Sequence, residues 1–192
     1  MTLTEVRILS RGGQGGVTAA KMLAYAGLKE DMIVQAIPKY GSERKGAPIF
    51  ADVRLADEDI RTHAPVIDRN CDSYIIFDVS AAEKIMPMDQ VKSGAVVVVN
   101  GTEVPDFLKK RMPEIKVGLV DAIKIAKECN LIRSGTPLIS TTMLGAWAKA
   151  NEGMIKLDSI KKSIEHAFGK GEVMNQNIKS VELAFDEFEF VE

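Results

Sequence analysis

Two periodicities of hydrophobic and polar positions alternate along the chain, one typical of buried strands and one of amphipathic helices. Apolar runs predict six strands, at residues 6–9, 32–37, 49–55, 73–78, 95–99 and 117–120. The run at 49–55 alternates strictly, which predicts a half-exposed strand that lies near an edge or pairs antiparallel. Helical patterns separate most of these strands. The sequence therefore predicts an α/β fold with a largely parallel central sheet.

The helical patterns in the first two thirds of the chain have recognisable ends. One helix is predicted from about residue 15 to residue 29, directly after a glycine-rich stretch. Residues 80–83, Ser-Ala-Ala-Glu, fit a capping box for a short helix. A further helix is predicted over 122–129, with Asp121 as its cap.

The last third of the chain is predicted to be helical throughout. Pro137 suits a first helical turn. A second helix follows, with Asp158 or Ser159 as its cap and Gly169 at its end. The final helix starts near Glu172 and carries an apolar stripe on one face. That stripe either packs within the chain or docks on another chain.

Composition and charge exclude several classes of protein. The 192 residues are 46% hydrophobic and 27% charged, as in an ordinary globular domain, and we expect one domain over 1–192. A net charge of −2 argues against broad nucleic-acid binding. No apolar run approaches the roughly 18 residues that span a bilayer, and the first residues lack a secretory signal. We therefore expect a cytoplasmic protein without nucleic-acid or membrane partners.

Residues able to carry redox or acid–base chemistry are few. Cys71 and Cys129 lie outside any C-x-x-C pattern, and neither His63 nor His166 has a metal-binding partner four residues on. The sequence shows no nucleophile–base pair and no carboxylate cluster. We therefore expect no catalytic residue and no metal site in this chain.

Residues 11–16, Arg-Gly-Gly-Gln-Gly-Gly, join the first predicted strand to the first predicted helix. Glycines permit a tight turn, and a helix start offers unpaired N–H groups to a phosphate, a carboxylate or a neighbouring main chain. The stretch is not a dinucleotide fingerprint, because Thr18 occupies the third glycine position and no acidic residue follows the second strand. These departures disfavour NAD and FAD as ligands. An alternative interpretation is a tight strand-to-helix turn that binds no ligand.

A second loop, residues 38–47, is bracketed by Pro38 and Pro48 and is dense in charge. Loops after the carboxyl ends of parallel strands converge on one edge of the sheet. The loops at 11–16, 38–47, 78–80 and 100–102 are expected to share that edge. It suits an anionic ligand or an acidic partner surface, although 38–47 could also be a solvated connection.

The two loops together resemble a known family. Residues 11–15, followed by 17–20, and then residues 40–48 are similar to two motifs of the gamma subunit of 2-oxoacid:ferredoxin oxidoreductases. Those motifs read approximately G-R-G-G-Q-G-x-V-T-A-A and [YF]-G-x-E-R-[RK]-G-A-P. The chain departs from them at Ser10, where the family often has glycine, and at Gly16, which replaces a small apolar residue.

The resemblance implies a multi-subunit enzyme. The complex decarboxylates a 2-oxoacid oxidatively, forms acyl-CoA and CO2, and reduces ferredoxin or flavodoxin; the form of the second motif suggests pyruvate or branched-chain 2-oxoacids. Thiamine diphosphate and iron–sulfur clusters belong to the alpha, beta and delta-type subunits, and coenzyme A is the co-substrate. The gamma subunit resembles a three-layer Rossmann-like sandwich with C-terminal helices. On its own it is expected to be inactive and to bind no cofactor, and a homodimer is one possible state.

The resemblance also names binding residues by position: Gly12, Gly13, Gln14 and Gly15 in the first loop, and Tyr40, Glu43, Arg44 and Lys45 in the second. The loop N–H groups with Arg44 or Lys45 would face coenzyme A phosphates. Alternatively, Glu43 and Arg44 would form ion pairs with a partner subunit. A stand-alone nucleotide- or CoA-binding module and a purely structural docking subunit stay open as other functions.

Overall fold

The computed structural model describes residues 3–38 and 46–191, and over those residues it shows one seven-stranded sheet, a two-stranded hairpin and seven helices. The strands are β1 (Leu3–Arg11), β2 (Ile33–Pro38), β3 (Pro48–Ala56), β4 (Ser73–Ile76), β5 (Val96–Asn100), β6 (Lys116–Val120), β7 (Ile132–Arg133), β8 (Thr136–Pro137) and β9 (Glu189–Phe190). The helices are α1 (Gly16–Leu28), α2 (Val79–Ile85), α3 (Asp106–Lys109), α4 (Ala122–Glu128), α5 (Ser140–Ala150), α6 (Leu157–Phe168) and α7 (Glu172–Glu187).

The large sheet has the order β2-β3-β1-β4-β5-β6-β9. Strands β1, β4, β5 and β6 are parallel neighbours, whereas β3 runs antiparallel between β1 and β2, and β9 runs antiparallel to β6. Five of these seven strands in the described part of the chain therefore point in one direction. The predicted α/β class with a sheet of mostly parallel strands is confirmed.

Alternate residues of the central strands supply two hydrophobic cores, one on each face of the sheet. Ile8 and Ile75 point into the core that α1 and α4–α7 cover, and Leu9 and Ile76 point into the core that α2 and α3 cover. Helices thus flank the sheet on both sides, which gives three layers. Helix α7 packs its apolar stripe on α5 and α6, so it packs within the chain.

The alternating strand is antiparallel as predicted, but the expectation that it is half-exposed is wrong. Asp52 and Arg54 on β3 are only 1% and 2% exposed. Each lies opposite a charge of the other sign, Arg7 or Glu5, in the antiparallel register with β1. The polar positions of this strand are buried because the neighbouring strand neutralises them.

Two predicted helix caps are wrong, although the helices exist. Asp78, rather than the Ser80 of the capping box, caps α2 and accepts a hydrogen bond from the N–H of Ala81 at 2.9 Å. Helix α6 begins without a side-chain cap at Lys156, because Ser159 donates its hydroxyl to Glu30 at 2.6 Å instead. The predicted cap at Asp121 is confirmed, since its carboxylate accepts the N–H of Lys124 at 2.9 Å.

The segment before α5 is the largest difference from the predicted elements. Residues 132–137 form the β7–β8 hairpin, so Pro137 lies in a strand and α5 begins only at Ser140. Ser134 and Gly135 occupy its turn with φ of 49° and 77°. Helix α3 and strand β9 were also not predicted. No helix of the described residues has the length and apolar character needed to cross a membrane.

Candidate functional site

The topology opens a crevice at the carboxyl edge of the sheet between β1 and β4. Helix α1 leaves β1 toward one face of the sheet, and α2 leaves β4 toward the other. The connections after the two strands diverge, which is the arrangement that makes a ligand crevice in open α/β sheets. The glycine loop and Asp78 line this crevice.

The glycine loop is held by Gln14. Its Oε1 accepts the N–H of Arg11 at 2.7 Å, and its Nε2 donates to Asp78 at 3.2 Å. Gly13 and Gly15 adopt φ of 94° and 88°, a left-handed conformation that favours glycine. Gly15 precedes α1, and no described side chain caps this 13-residue helix. Among the described residues, no side chain accepts a hydrogen bond from the first N–H groups of α1.

Ser10 and Gly16, the two departures from the family motif, are in contact. A Cβ on Gly16 would lie 2.3 Å from Oγ of Ser10, whose side chain is fully buried. The serine side chain occupies the space that the glycine leaves. On the other side of the loop, a Cβ on Gly15 would lie 3.2 Å from Cβ of Ser140. Ser10 and Ser140 thus pack tightly against the end of the glycine loop.

Arg11 ties three segments together at the rim of the crevice. Its Nε lies 3.1 Å from Oδ2 of Asp78, and its two terminal nitrogens donate to Oγ of Ser80 at 2.6 Å and to the carbonyl of Gly46 at 2.9 Å. The guanidinium therefore fixes the relative positions of the first loop, the start of α2 and the end of the second loop.

The carboxylate of Asp78 is held in its charged form. Burial alone would raise its pKa, but hydrogen bonds from Ser80, the N–H of Ala81 and Gln14, together with the charge of Arg11, outweigh burial and lower the pKa. A carboxylate with a lowered pKa and several donors already bound is a poor general acid or base. Asp78 shapes the site rather than carrying chemistry.

The second loop ends against the first. The N–H of Gly46 donates to the carbonyl of Gly12 at 3.0 Å, and the N–H of Gly12 donates to the carbonyl of Ala47 at 2.9 Å. These two bonds extend the β1–β3 pairing beyond the end of β1. The predicted site residues of the second loop, Tyr40, Glu43, Arg44 and Lys45, lie outside the described residues.

Two adjoining clefts open at this rim. One of about 420 Å³ is lined by Gln14, Phe77, Asp78, Val79, Ser80, Asn100, Ile123, Thr136, Pro137 and Ile139. The other, about 470 Å³, is lined by Arg11, Gly12, Gly13, Gln14, Gly46, Arg133, Ser134, Thr136 and Leu138. Gln14 and Thr136 line both clefts, so the two lie side by side.

The clefts differ in chemistry. In the first, the polar groups are already paired: Asn100 donates to the carbonyl of Phe77 at 3.0 Å and accepts the N–H of Ala122 at 3.2 Å. What this cleft offers a ligand is its apolar wall, which includes Ile123. The second cleft offers the glycine backbone and Arg133, beside an Arg11 that already has partners, which suits a negatively charged group.

Arg133 is the site residue that sequence reasoning missed. Over residues 3–38 and 46–191 its guanidinium has no hydrogen-bond or ion-pair partner, whereas that of Arg11 is fully engaged. Arg133 lies on the β7–β8 hairpin and lines the same cleft as Gly12 and Gly13 of the glycine loop. The turn residues Ser134 and Gly135 were the available signal.

The remaining candidates lie apart from this site. The described residues hold no group of three or more His, Cys, Asp or Glu that could bind a metal ion. Burial raises the pKa of the thiols of Cys71 and Cys129, which makes both poor nucleophiles. His166 stacks on Tyr25 with ring centroids 4.1 Å apart, between α1 and α6.

A family model described as pyruvate ferredoxin/flavodoxin oxidoreductase matches residues 5–187. The chain belongs to this family. It is 39% identical over 188 residues to the pyruvate/ketoisovalerate oxidoreductases common subunit gamma of Thermococcus kodakarensis, covering 96% of both chains. It is 34% identical over 187 residues to pyruvate synthase subunit PorC of Methanothermobacter thermautotrophicus, covering 97% of both.

The fold agrees with that assignment. The crystal structure of pyruvate oxidoreductase subunit PORC from Thermotoga maritima superposes with a TM-score of 0.79 at 29% identity, over the whole of both chains. The predicted gamma-type subunit of a 2-oxoacid oxidoreductase is confirmed.

Proposed function

We propose that this chain acts within a complex that converts a 2-oxoacid and coenzyme A to acyl-CoA and CO2 and passes the electrons to ferredoxin or flavodoxin. The whole-length similarity to gamma and PorC subunits supports this proposal. The Thermococcus relative is named as common to pyruvate and ketoisovalerate oxidoreductases. A subunit shared by two such enzymes does not select the 2-oxoacid, so we propose pyruvate or a branched-chain 2-oxoacid, chosen by partner chains.

In this proposal the electron-transfer groups reside in other subunits of alpha, beta and delta type. An iron–sulfur cluster is normally held by four thiolates, and this chain has two cysteines, 71 and 129, both buried. We place thiamine diphosphate and the clusters in the partner chains for that reason. The isolated chain would then be inactive, and ferredoxin or flavodoxin would react with the complex.

The contribution of this chain itself is a binding site for coenzyme A at the rim between β1 and β4. Coenzyme A combines phosphates with a long, less polar arm, and the two adjoining clefts place a cationic region beside an apolar one. This pairing is the observation that carries the proposal. The phosphates would bind the first N–H groups of α1 and Arg133, with Arg44 or Lys45 from the second loop. The less polar arm would lie along Phe77 and Ile123.

A docking role for the same rim has independent support. Ile123 lines the first cleft and Ile132 precedes Arg133 on β7; they are 42% and 50% exposed, so they offer apolar surface to a partner. In the docking alternative these side chains pack against a partner subunit, and Glu43 and Arg44 form ion pairs with it.

Substituting Arg133 in the assembled complex separates the two roles. With Arg133→Gln we expect the KM for coenzyme A to rise roughly 10- to 100-fold, as for the loss of one charge-assisted hydrogen bond of about 1.5–3 kcal/mol. The KM for the 2-oxoacid should not change. Arg69→Gln, an exposed arginine distant from the rim, is the matched control. An unchanged KM with a lower yield of complex would instead support docking.

Two further measurements test the other functions. If the chain were a stand-alone CoA-binding module, the isolated protein would bind coenzyme A at micromolar concentration by calorimetry, whereas we expect it to bind well only in the complex. A dehydrogenase would show a thermal shift with NAD, and we expect none, because the third glycine position holds Thr18.

A further inference from the structure

The two edges of the sheet are protected to different degrees. Strand β9 at one edge has two residues, Glu189–Phe190, and one of them is charged. Strand β2 at the other edge has six residues, Ile33–Pro38, and none is charged. In the described part of the chain no backbone hydrogen bond reaches the outer side of β2. A long, uncharged and open edge is a template for pairing with another strand.

Strand β2 is held firmly in place on both faces. Val34 and Ala36 pack against the core beneath α1. On the other face, Gln35 accepts a hydrogen bond from Arg54 at 3.1 Å and donates to the carbonyl of Thr62 at 3.1 Å. The edge therefore presents a fixed row of backbone donors and acceptors, with Ile33 45% exposed at its start.

We propose that β2 pairs antiparallel with β2 of a second copy of this chain, so that the two sheets become one across a twofold axis at Gln35. Residues directly opposite in an antiparallel pair point to the same face. With the axis at Gln35, Ile33 lies opposite Ile37, and Val34 lies opposite Ala36. All four of these contacts join apolar side chains, and no like charges meet.

The strand sequence favours its own copy in this register over the neighbouring one. An axis at Ala36 would set Gln35 against Ile37 and Val34 against Pro38, which pairs an amide with an apolar side chain and uses a residue that cannot donate to the ladder. The absence of charge on β2 leaves nothing to select an acidic or basic partner strand. A symmetric pair is also the commonest way for identical subunits to close an interface.

A cysteine on the proposed axis tests this geometry in the full-length chain. Opposed Cα atoms in an antiparallel pair are about 4.5–5.5 Å apart, a separation that a disulfide can bridge. Under mild oxidation Gln35→Cys should therefore give a covalent dimer on a non-reducing gel. The native Cys71 and Cys129 are 0% and 3% exposed and should not react.

Ile33→Cys is the matched control for the crosslink. Its own copy would lie about four residues along the strand, roughly 13 Å away, so no disulfide should form. If Gln35→Cys is folded and stays uncrosslinked, or if both variants crosslink equally, the proposed register is wrong. In the assembled complex the same variant should link two gamma chains. A product that joins gamma to a different subunit would overturn the choice of partner.

A charge at the edge gives a second, independent test. Ile33→Lys should convert a concentration-dependent dimer into a monomer in analytical ultracentrifugation, with the melting temperature that the wild-type chain has at concentrations where it is monomeric. Ile67→Lys carries the same change at a side chain that is 50% exposed elsewhere, and it should still dimerise. A wild-type chain that is monomeric at every concentration would refute the pairing.

Discussion

Two arginines on one strand show how burial divides structure from function. Arg7 and Arg11 are four residues apart on β1, so their side chains leave the same face of the sheet. Each pairs with an aspartate on a neighbouring segment: Arg7 with Asp52 at 2.8 Å, and Arg11 with Asp78 at 3.1 Å. The Arg7 pair is 5% and 1% exposed, whereas the Arg11 pair is 26% and 21% exposed.

The interior pair is a closed network. Arg7 also donates to Asp68 at 2.6 Å and to the carbonyl of Val66 at 2.8 Å, and its guanidinium lies 4.2 Å from the ring centroid of Phe50. Burial alone would lower the pKa of Arg7, but Asp52 and Asp68 outweigh it and raise the pKa. Four hydrogen bonds to described residues and nearly complete burial leave this guanidinium inaccessible to a ligand. This network fastens the 57–72 segment across the sheet.

The Arg11–Asp78 pair at the rim is only partly buried and faces a cleft. Arg11 and Asp78 satisfy each other, yet Arg133 lines the same cleft as Arg11 and has no partner among the described residues. Helix α1, which follows the glycine loop, also begins without a side-chain cap from those residues. The comparison teaches that the type of residue does not identify a site. The hydrogen-bonding capacity that remains after folding does.

The largest expected effect separates the two arginines by stability. Arg7→Ala leaves Asp52 buried without its partner, and we expect a loss of about 3–5 kcal/mol in the free energy of unfolding. Arg11→Ala should cost about 1 kcal/mol or less, because water screens that pair. Urea denaturation of the isolated chain measures both. In Arg7→Met/Asp52→Leu most of the loss should be recovered. Equal losses in the free energy of unfolding for Arg7→Ala and Arg11→Ala would contradict the distinction between a buried pair and a rim pair.

A smaller effect tests how tightly the rim is packed. Gly16→Ala forces a methyl group against Ser10, and we expect a loss of roughly 1–3 kcal/mol. Ser10→Gly/Gly16→Ala restores the usual arrangement of the family and should recover that loss. Gly101→Ala, whose Cβ would meet its nearest neighbour at 3.8 Å, serves as the control. Additive costs in the double variant would show that the two positions are independent.

The smallest expected effect concerns pH at the rim. The pKa of Asp78 lies below the ordinary value of about 3.9. Its charge therefore contributes stability that is present above that ordinary value and is lost as the pH falls through the lower folded-state pKa. Asp78→Asn keeps a capping residue for α2 but removes the charge. Its stability deficit should persist nearly in full from pH 7 down to about pH 4 and should shrink only as the pH falls further, through the lowered folded-state pKa of Asp78.

Much of the fold was predictable because it depends on local pattern. The strands β1 and β5 follow apolar runs, and the glycine loop was recognised from spacing alone. The buried charges were not predictable, because Arg7 and Asp52 are 45 residues apart and meet only through the β1–β3 register. The sequence likewise presents Ser10 and Gly16 as two separate departures from a motif, although they share one space.

The candidate site divides in the same way. Gly12, Gly13 and Gln14 line the candidate cleft, and the sequence pointed to them and to Gly15 because a strand, a glycine loop and a helix are consecutive in the chain. That these four residues bind a ligand stays a prediction. Arg133 was missed because its position depends on the β7–β8 hairpin, and the sequence analysis had assigned Pro137 of that hairpin to a first helical turn. Whether the residues of the second loop bind coenzyme A or a partner stays a prediction.

Two backbone hydrogen bonds connect Gly12 in the first loop to Gly46 and Ala47 at the end of the second loop. If a partner subunit binds the second loop, as proposed, a shift of that loop would be passed through these bonds to the glycine loop that precedes α1. By thermodynamic reciprocity, if binding of the partner subunit changed the affinity for a ligand at that helix start, the ligand would change the affinity for the partner subunit by the same factor. Assembly of the complex and uptake of its co-substrate would be linked events.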